Sequence, residues 1–387
     1  MSAMLSHKQQ FSIREGVSYL DTAAEGLPPL DGEAALAAYW REKSKGTPGR
    51  ARLYQEQREL EAAAARLLNT AVQNITLLSH SSEALNLLAN SIDWKPGDEV
   101  LICDLEFPSN VVVWLRLQRL GVKLVVIPSS HGVIELSDWT ARLSSRTRLV
   151  SVSQVSYKSG TQIPYMSALA EAAHSAGALF CVDATQALGR VPVSVVGVDY
   201  LVASSYKWLL GTHGLAVVYE SPELRERIPA ATAGWFSEAK LFHSARFEAS
   251  TSKSTAARLQ AGMPNFPAIF ALRAGLECLL KVGVERIDQE LRPLIAALRS
   301  GLEEQGLALL TPAAATHASG IVSFSCGEGE ALAASLAEKG VIVWGGDGRV
   351  RISLHLYNDG EDVQRCLAAV RACTAGMKTY ALLQSGS

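Results

Sequence analysis

Seven short apolar runs, rich in β-branched residues, recur between positions 74 and 220. They are NITLL (74–78), DEVLICD (98–104), VKLVVIP (122–128), TRLVSVS (147–153), LFCVD (179–183), YLVA (200–203) and GLAVVYE (214–220). Each reads as a buried strand, because its apolar residues run on rather than alternate with polar ones. Helical stretches lie between them at 54–68, from Ser81, from about Asn110, at 137–143 and at 165–175. Such alternation predicts an α/β fold with a mainly parallel sheet covered on both faces. Periodicity then fades over residues 229–267. Long irregular segments in compact domains are functional or disordered, and Trp235, Phe236, His243 and Arg246 mark this one as active-site cover. Helices at 267–281, 284–305, 328–339 and 361–375, with strands at 318–326, 340–344 and 349–358, make up a smaller α/β domain. Near the N-terminus, YLDTAAEGLPP (19–29) joins a short strand to a Gly/Pro break.

Two of the runs deliver chemistry at their C-terminal ends, where ligands bind in open α/β sheets. The first ends in Asp183, with Gln186 a short turn later; the second runs into Ser204, Ser205, Tyr206 and Lys207. Taken singly, an aspartate at a strand end is a turn or cap residue, and a lysine is a solvated charge. Together they suit pyridoxal 5'-phosphate (PLP): an amine for a Schiff base, an acid for the pyridine nitrogen, and hydroxyls for a phosphate. Ser81 and Ser82 open a helix with Glu83 in its first turn, an N-cap arrangement equally suited to phosphate. The basic loop KSKGTPGRAR offers Arg50 and Arg52 to an anionic substrate, or simply to solvent.

Composition narrows the classes. A chain of 387 residues has length for two domains. A net charge of −2 and the lack of a basic–aromatic stripe argue against a nucleic-acid partner. No apolar run reaches the ~18–20 residues that span a bilayer, and the first residues lack a signal core, so a cytoplasmic location is expected. Six scattered cysteines form neither a disulfide framework nor a metal site. WGGDGR (344–349) has no following helix and makes no dinucleotide site.

DATQALG (183–189) and SSYKWLLGTHG (204–214) resemble the fold-type I PLP enzymes, in particular the class V aminotransferase family that includes cysteine desulfurases and kynureninases. The resemblance implies a large domain (17–265) with a mainly parallel seven-stranded sheet, and a small domain built from 1–30 and 266–387. It implies a homodimer acting on an amino acid. Lys207 and Asp183 would be catalytic, Gln186 would sit near the cofactor's phenolic oxygen, and Ser81, Ser82, Ser204 and Tyr206 would hold its phosphate. Arg351, at the start of RISLHLYN, would clamp the substrate carboxylate; a dimer would also give Arg50 and Arg52 a route to the site, as the alternative to a solvated basic loop.

Four positions depart from that pattern. Phe107 stands where desulfurases stack a histidine on the ring, so it stacks without carrying protons. Tyr157 replaces an asparagine that bonds the phenolic oxygen, and Met263 a threonine that reaches the partner's phosphate. EKGVIVWGGDGRVR holds no cysteine, and Cys326 lies far upstream, so persulfide-forming desulfuration is not expected. Aminotransfer is the first expectation; a lyase or cyclase acting at Cβ or Cγ is the alternative. A non-catalytic partner-binding protein fits poorly with an intact Asp183/Lys207 pair.

Overall fold

The structure, a computed structural model, describes residues 7–384. Residues 1–6 and 385–387, which belong to the expected smaller domain, lie outside the described residues. The chain opens on strand β1 (Ser18–Tyr19) and helices α1 (Asp31–Lys43) and α2 (Arg50–Leu67). Strand and helix then alternate. In order they are β2 (Ile75–Leu78), α3 (Ser81–Ser91), β3 (Glu99–Cys103), α4 (Ser109–Leu115), β4 (Lys123–Ile127) and α5 (Leu136–Thr140). They continue as β5 (Thr147–Ser153), α6 (Met166–Ser175), β6 (Leu179–Asp183), β7 (Tyr200–Ser204) and β8 (Ala216–Glu220).

These seven strands form one sheet in the order β2-β8-β7-β6-β5-β3-β4. Only β8 runs against its neighbours, so the sheet is mixed but mainly parallel. The continuous apolar runs follow from burial on both faces. In β6, Phe180 and Val182 enter one core and Leu179 and Cys181 the other. Because β6 and β7 are adjacent and parallel, Asp183 and Ser204 leave the sheet at the same edge.

After α7 (Pro222–Arg227) the described residues up to 265 hold a 3-10 turn at Ala256–Leu259 and one isolated bridge, Glu238 to Ser252. Then come α8 (Phe266–Val282), α9 (Val284–Glu304), β9 (Ile321–Ser325), α10 (Gly329–Glu338), β10 (Val341–Ile342), β11 (Trp344–Gly346), β12 (Arg349–Ser353) and α11 (Gly360–Gln384). The run expected as one strand at 340–344 is two: β10 pairs in parallel with β1, and β11 pairs with β12 in an antiparallel sheet completed by β9. Asp347 and Gly348 join β11 to β12 with φ of 47° and 71°. Two positive φ values suit a tight hairpin, because they match the right-handed twist of the strands. The strand expected to reach residue 358 ends at Ser353; Asn358 Oδ1 accepts the His355 N–H at 2.9 Å, turning the chain away.

Leu20, Leu298, Val322, Phe324, Leu332, Val350 and Ile352 form a separate smaller core. Helix α8, expected with that smaller unit, instead buries Ile269, Leu272 and Leu276 beside Val182 and Leu201 in the larger core. No helix among the described residues is long and apolar enough to cross a membrane.

Candidate active site

Lys207 and Asp183 line one cavity with His80, Ser81, Ser82, Phe107, Tyr157, Gln186, Ser204 and Tyr206. Every residue expected to hold the cofactor is therefore in one place. Asp183, at the end of β6, is buried and hydrogen-bonds only Thr185, whose N–H reaches Oδ1 at 2.9 Å. Burial pushes its carboxyl up, while the Thr185 bonds and the Lys207 charge pull it down. Lys207 is also buried, and no hydrogen bond from the described residues reaches its Nζ; the Phe107 and Tyr206 rings lie 5.4 and 5.5 Å away. Burial and the Arg351 charge bring its amine down to about 8, against the pull of Asp183, Glu25 and Asp21. Trp208 anchors the lysine segment: its indole N–H donates to Gln186 Oε1 at 2.6 Å, and its carbonyl meets His355 Nε2 at 3.0 Å. Burial holds His355 neutral, with its pKa down at about 3.

The start of α3 differs from the expected serine cap. His80 is the cap: its Nδ1 accepts the Glu83 N–H at 2.9 Å, and Glu83 Oε2 takes the Ser79 N–H at 2.8 Å. The serines are thereby free of capping. Ser81 Oγ lies 3.0 Å from Ser204 Oγ, and Ser82 donates to Ser109 at 3.1 Å. Hydroxyls from both sides thus gather at a helix start, where unpaired N–H groups and the dipole favour an anion. Tyr206 borders the same space and stacks on His213 at 4.4 Å.

Phe107 is held from below by Glu106. That carboxyl is fully buried and takes bonds from Asn110 Nδ2 (2.6 Å), Ser153 N (2.8 Å), Ser153 Oγ (2.5 Å) and Cys103 Sγ (3.2 Å). The turn between β3 and α4 is so tied to β5, and Phe107 faces the cavity, 40% exposed. Tyr157 meets it edge to face at 5.0 Å. Gln186 spends one N–H on Ala23 O (3.0 Å) and its carbonyl on Trp208, leaving one N–H for a ligand.

Arg351 belongs to the small sheet and is not among the residues that line the cavity; it is 4% exposed, with its guanidinium 5.2 Å from the Trp344 ring. Nη1 donates to Tyr157 O at 3.1 Å, Nε has no partner, and Nη2 lies 3.7 Å from Asp21 Oδ1, beyond hydrogen-bond range. Arg50 and Arg52 belong to the first turn of α2 rather than to a loop, and neither lines the cavity. Arg52 is paired with Glu56 and Glu59 of its own helix. Met263 lies elsewhere, its sulfur 3.6 Å from the Tyr54 hydroxyl. Cys326 is closer to the hairpin than its sequence position suggests, since its N–H reaches Gly348 O at 2.8 Å. Its side chain nevertheless packs on the smaller core, away from the cavity.

Sequence reasoning singled out neither His80, Thr185, Glu106 nor Asp21. The TQ after Asp183 and the YLD segment carried the signal, but their partners are remote in sequence.

The donor set suits PLP. A buried amine, a buried acid with spare acceptor capacity and a hydroxyl cluster at a helix start stand in one cavity. Comparison with known proteins agrees. The chain is 29% identical over 312 residues to the uncharacterized aminotransferase YcbU of Bacillus subtilis, covering 80% of this chain and 82% of that one. It is 26% identical over 400 residues to a probable cysteine desulfurase of Pyrococcus abyssi, covering 96% and 98%. The apo cysteine desulfurase of Thermococcus onnurineus NA1 superposes with a TM-score of 0.88 at 25% identity, over 95% of this chain and 97% of that one. The sequence model of the aminotransferase class-V family matches residues 19–366, and with it the chain belongs to that family of PLP-dependent enzymes.

Proposed function

We propose that the protein acts on an α-amino acid through Lys207, and that its reaction is aminotransfer. One observation carries this reading: the buried Lys207 amine shares a cavity with Asp183, and the charge of Arg351, whose Nη1 donates to the carbonyl of the cavity residue Tyr157, acts on that amine. Bound PLP would supply an electron sink for charge developing at the α-carbon. Lys207 Nζ would hold it covalently, Asp183 its ring nitrogen, Gln186 its phenolic oxygen, and Ser81, Ser82, Ser204 and Tyr206 its phosphate. Arg351 binds the substrate carboxylate, for which a guanidinium edge is the matching shape. Phe107 covers the cavity and limits water. Lys207 then takes the α-proton; an amine brought down to about 8 is partly neutral at physiological pH, which suits a general base. Returning that proton to the carbon across the substrate nitrogen, followed by hydrolysis of the resulting C=N bond by water, would release the keto acid and leave the amine behind, and an α-keto acid would take that amine up by the reverse steps.

A second reading, cleavage of the Cβ–sulfur bond, has support from the cysteine desulfurases among the relatives. The hairpin before Arg351 lacks a cysteine, but exclusion of a persulfide product finds no support in those comparisons. The test is to incubate the PLP-loaded protein with a panel of amino acids, with and without an α-keto acid. Amino transfer that requires the keto acid is the expected result. Sulfide or pyruvate released without it would replace the first reading by the second.

A further inference from the structure

We propose that Asp21 shares the Arg351 carboxylate seat, so that a substrate carboxylate binds there only as Asp21 takes up one proton. The inference rests on the reading of Arg351 as that seat.

Arg351 Nη1 gives one of its two N–H groups to the Tyr157 carbonyl, which leaves its other N–H, Nε and Nη2 as donors, and Nη2 stands nearest Asp21. Asp21 Oδ1 already stands 3.7 Å from Nη2, buried and without a hydrogen bond. A carboxylate bonded to Nη2 at ~2.8 Å comes within a few ångströms of it. The backbone that carries Asp21 is held in place: it is bridged to Ser353, and the Asp21 carbonyl takes the N–H groups of both Ala24 and Glu25 at 3.0 Å. Two carboxylates held that close do not both stay ionised; one keeps a proton and donates it to the other. The proton comes from solvent and only an O–H bond forms. The groups acting on Asp21 are Arg351 from β12, Lys207 after β7, Tyr19 on its own segment and Tyr357 beyond β12. Burial has already raised its carboxyl to about 6 against the pull of Arg351, so the required proton is close at hand.

The test titrates PLP-loaded protein with propionate by calorimetry from pH 6.5 to 8.5. For the wild type, Kd should rise by about tenfold per pH unit above pH 7, the signature of one linked proton. Asp21→Asn donates an N–H without needing that proton, so its profile should be flatter by the same factor and its Kd at pH 8 lower than the wild type's. Because Asp21 and Lys207 act on each other, the Lys207 contribution is read separately, from the pH dependence of the cofactor absorbance of each protein without propionate. Parallel profiles, or weaker binding by Asp21→Asn at every pH, would overturn the inference. Asp21→Ser, which removes the charge with a smaller side chain, should also flatten the profile; a steep profile there would equally overturn it. Arg351→Ala with unchanged affinity is a different failure, since it would remove the seat itself.

Discussion

At the scale of single residues, the site is governed by burial of charge. Lys207 is kept near 8 because desolvation and Arg351 outweigh the attraction of three acids. That balance holds the amine available for bonding and for proton transfer instead of locking it in an ion pair. Lys207→Ala should lower kcat by about 10³-fold or more, with far-UV circular dichroism and the unfolding midpoint little changed. A variant turning over at the wild-type rate would refute the assignment. Phe107 shows the opposite economy: where desulfurases keep a proton-carrying ring, this chain keeps an apolar one, fixed by the Glu106 network beneath it. Lys207, Asp183 and the three serines were legible from their types and strand-end positions. Asp21 was not, because an aspartate next to a short strand acquires meaning only from Arg351, 330 residues later.

At the scale of elements, the segment between β1 and α1 ties the two parts of the site together. Its Leu20 N–H bonds Ile342 O of β10 at 2.8 Å, Asp21 bridges to Ser353, and the Gly26 N–H then meets Tyr206 O at 2.8 Å. A Cβ on Gly26 would stand 1.8 Å from the Lys207 carbonyl oxygen, closer than any real contact. Gly26→Ala should therefore cost about 1–3 kcal/mol, seen as an earlier urea midpoint together with weaker PLP retention. Unchanged stability and unchanged cofactor binding would show that the segment yields easily. The hairpin β11–β12 likewise sets function through shape, presenting Arg351 opposite Trp344 across a two-residue turn. Its Asp-Gly pair was visible in the sequence, but the split of residues 340–346 into two strands was not. Periodicity finds apolar runs; it does not say which partner each half will meet.

At the scale of the whole molecule, the sheet is shared between a core on each face, one of which also takes α8, while a third, smaller core is closed by Leu20 from the N-terminal segment. Phe242 (94% exposed) and Phe247 (86%) stand in water in the irregular segment before α8. Aromatic residues so exposed are costly in an isolated chain and common where proteins meet. We expect a homodimer, with this segment and the basic start of α2 near the interface. Light scattering coupled to size exclusion should give twice the mass of the chain, and a monomer at micromolar concentration would count against it.

Fold class and cofactor could be read from the chain alone, and the residues expected to hold that cofactor line one cavity. Buried parallel strands must be continuously apolar, and their ends must be punctuated by the polar residues that act there. The sequence therefore grouped Asp183, Lys207, Ser81, Ser82, Ser204 and Tyr206 together. Tertiary structure alone decided what surrounds them: that His80 rather than a serine caps α3, that Arg52 spends itself on Glu56 and Glu59, and that Asp21 stands against Arg351. Each is a contact between side chains whose choice of partner depends on packing geometry, and that geometry exists only once the cores have formed.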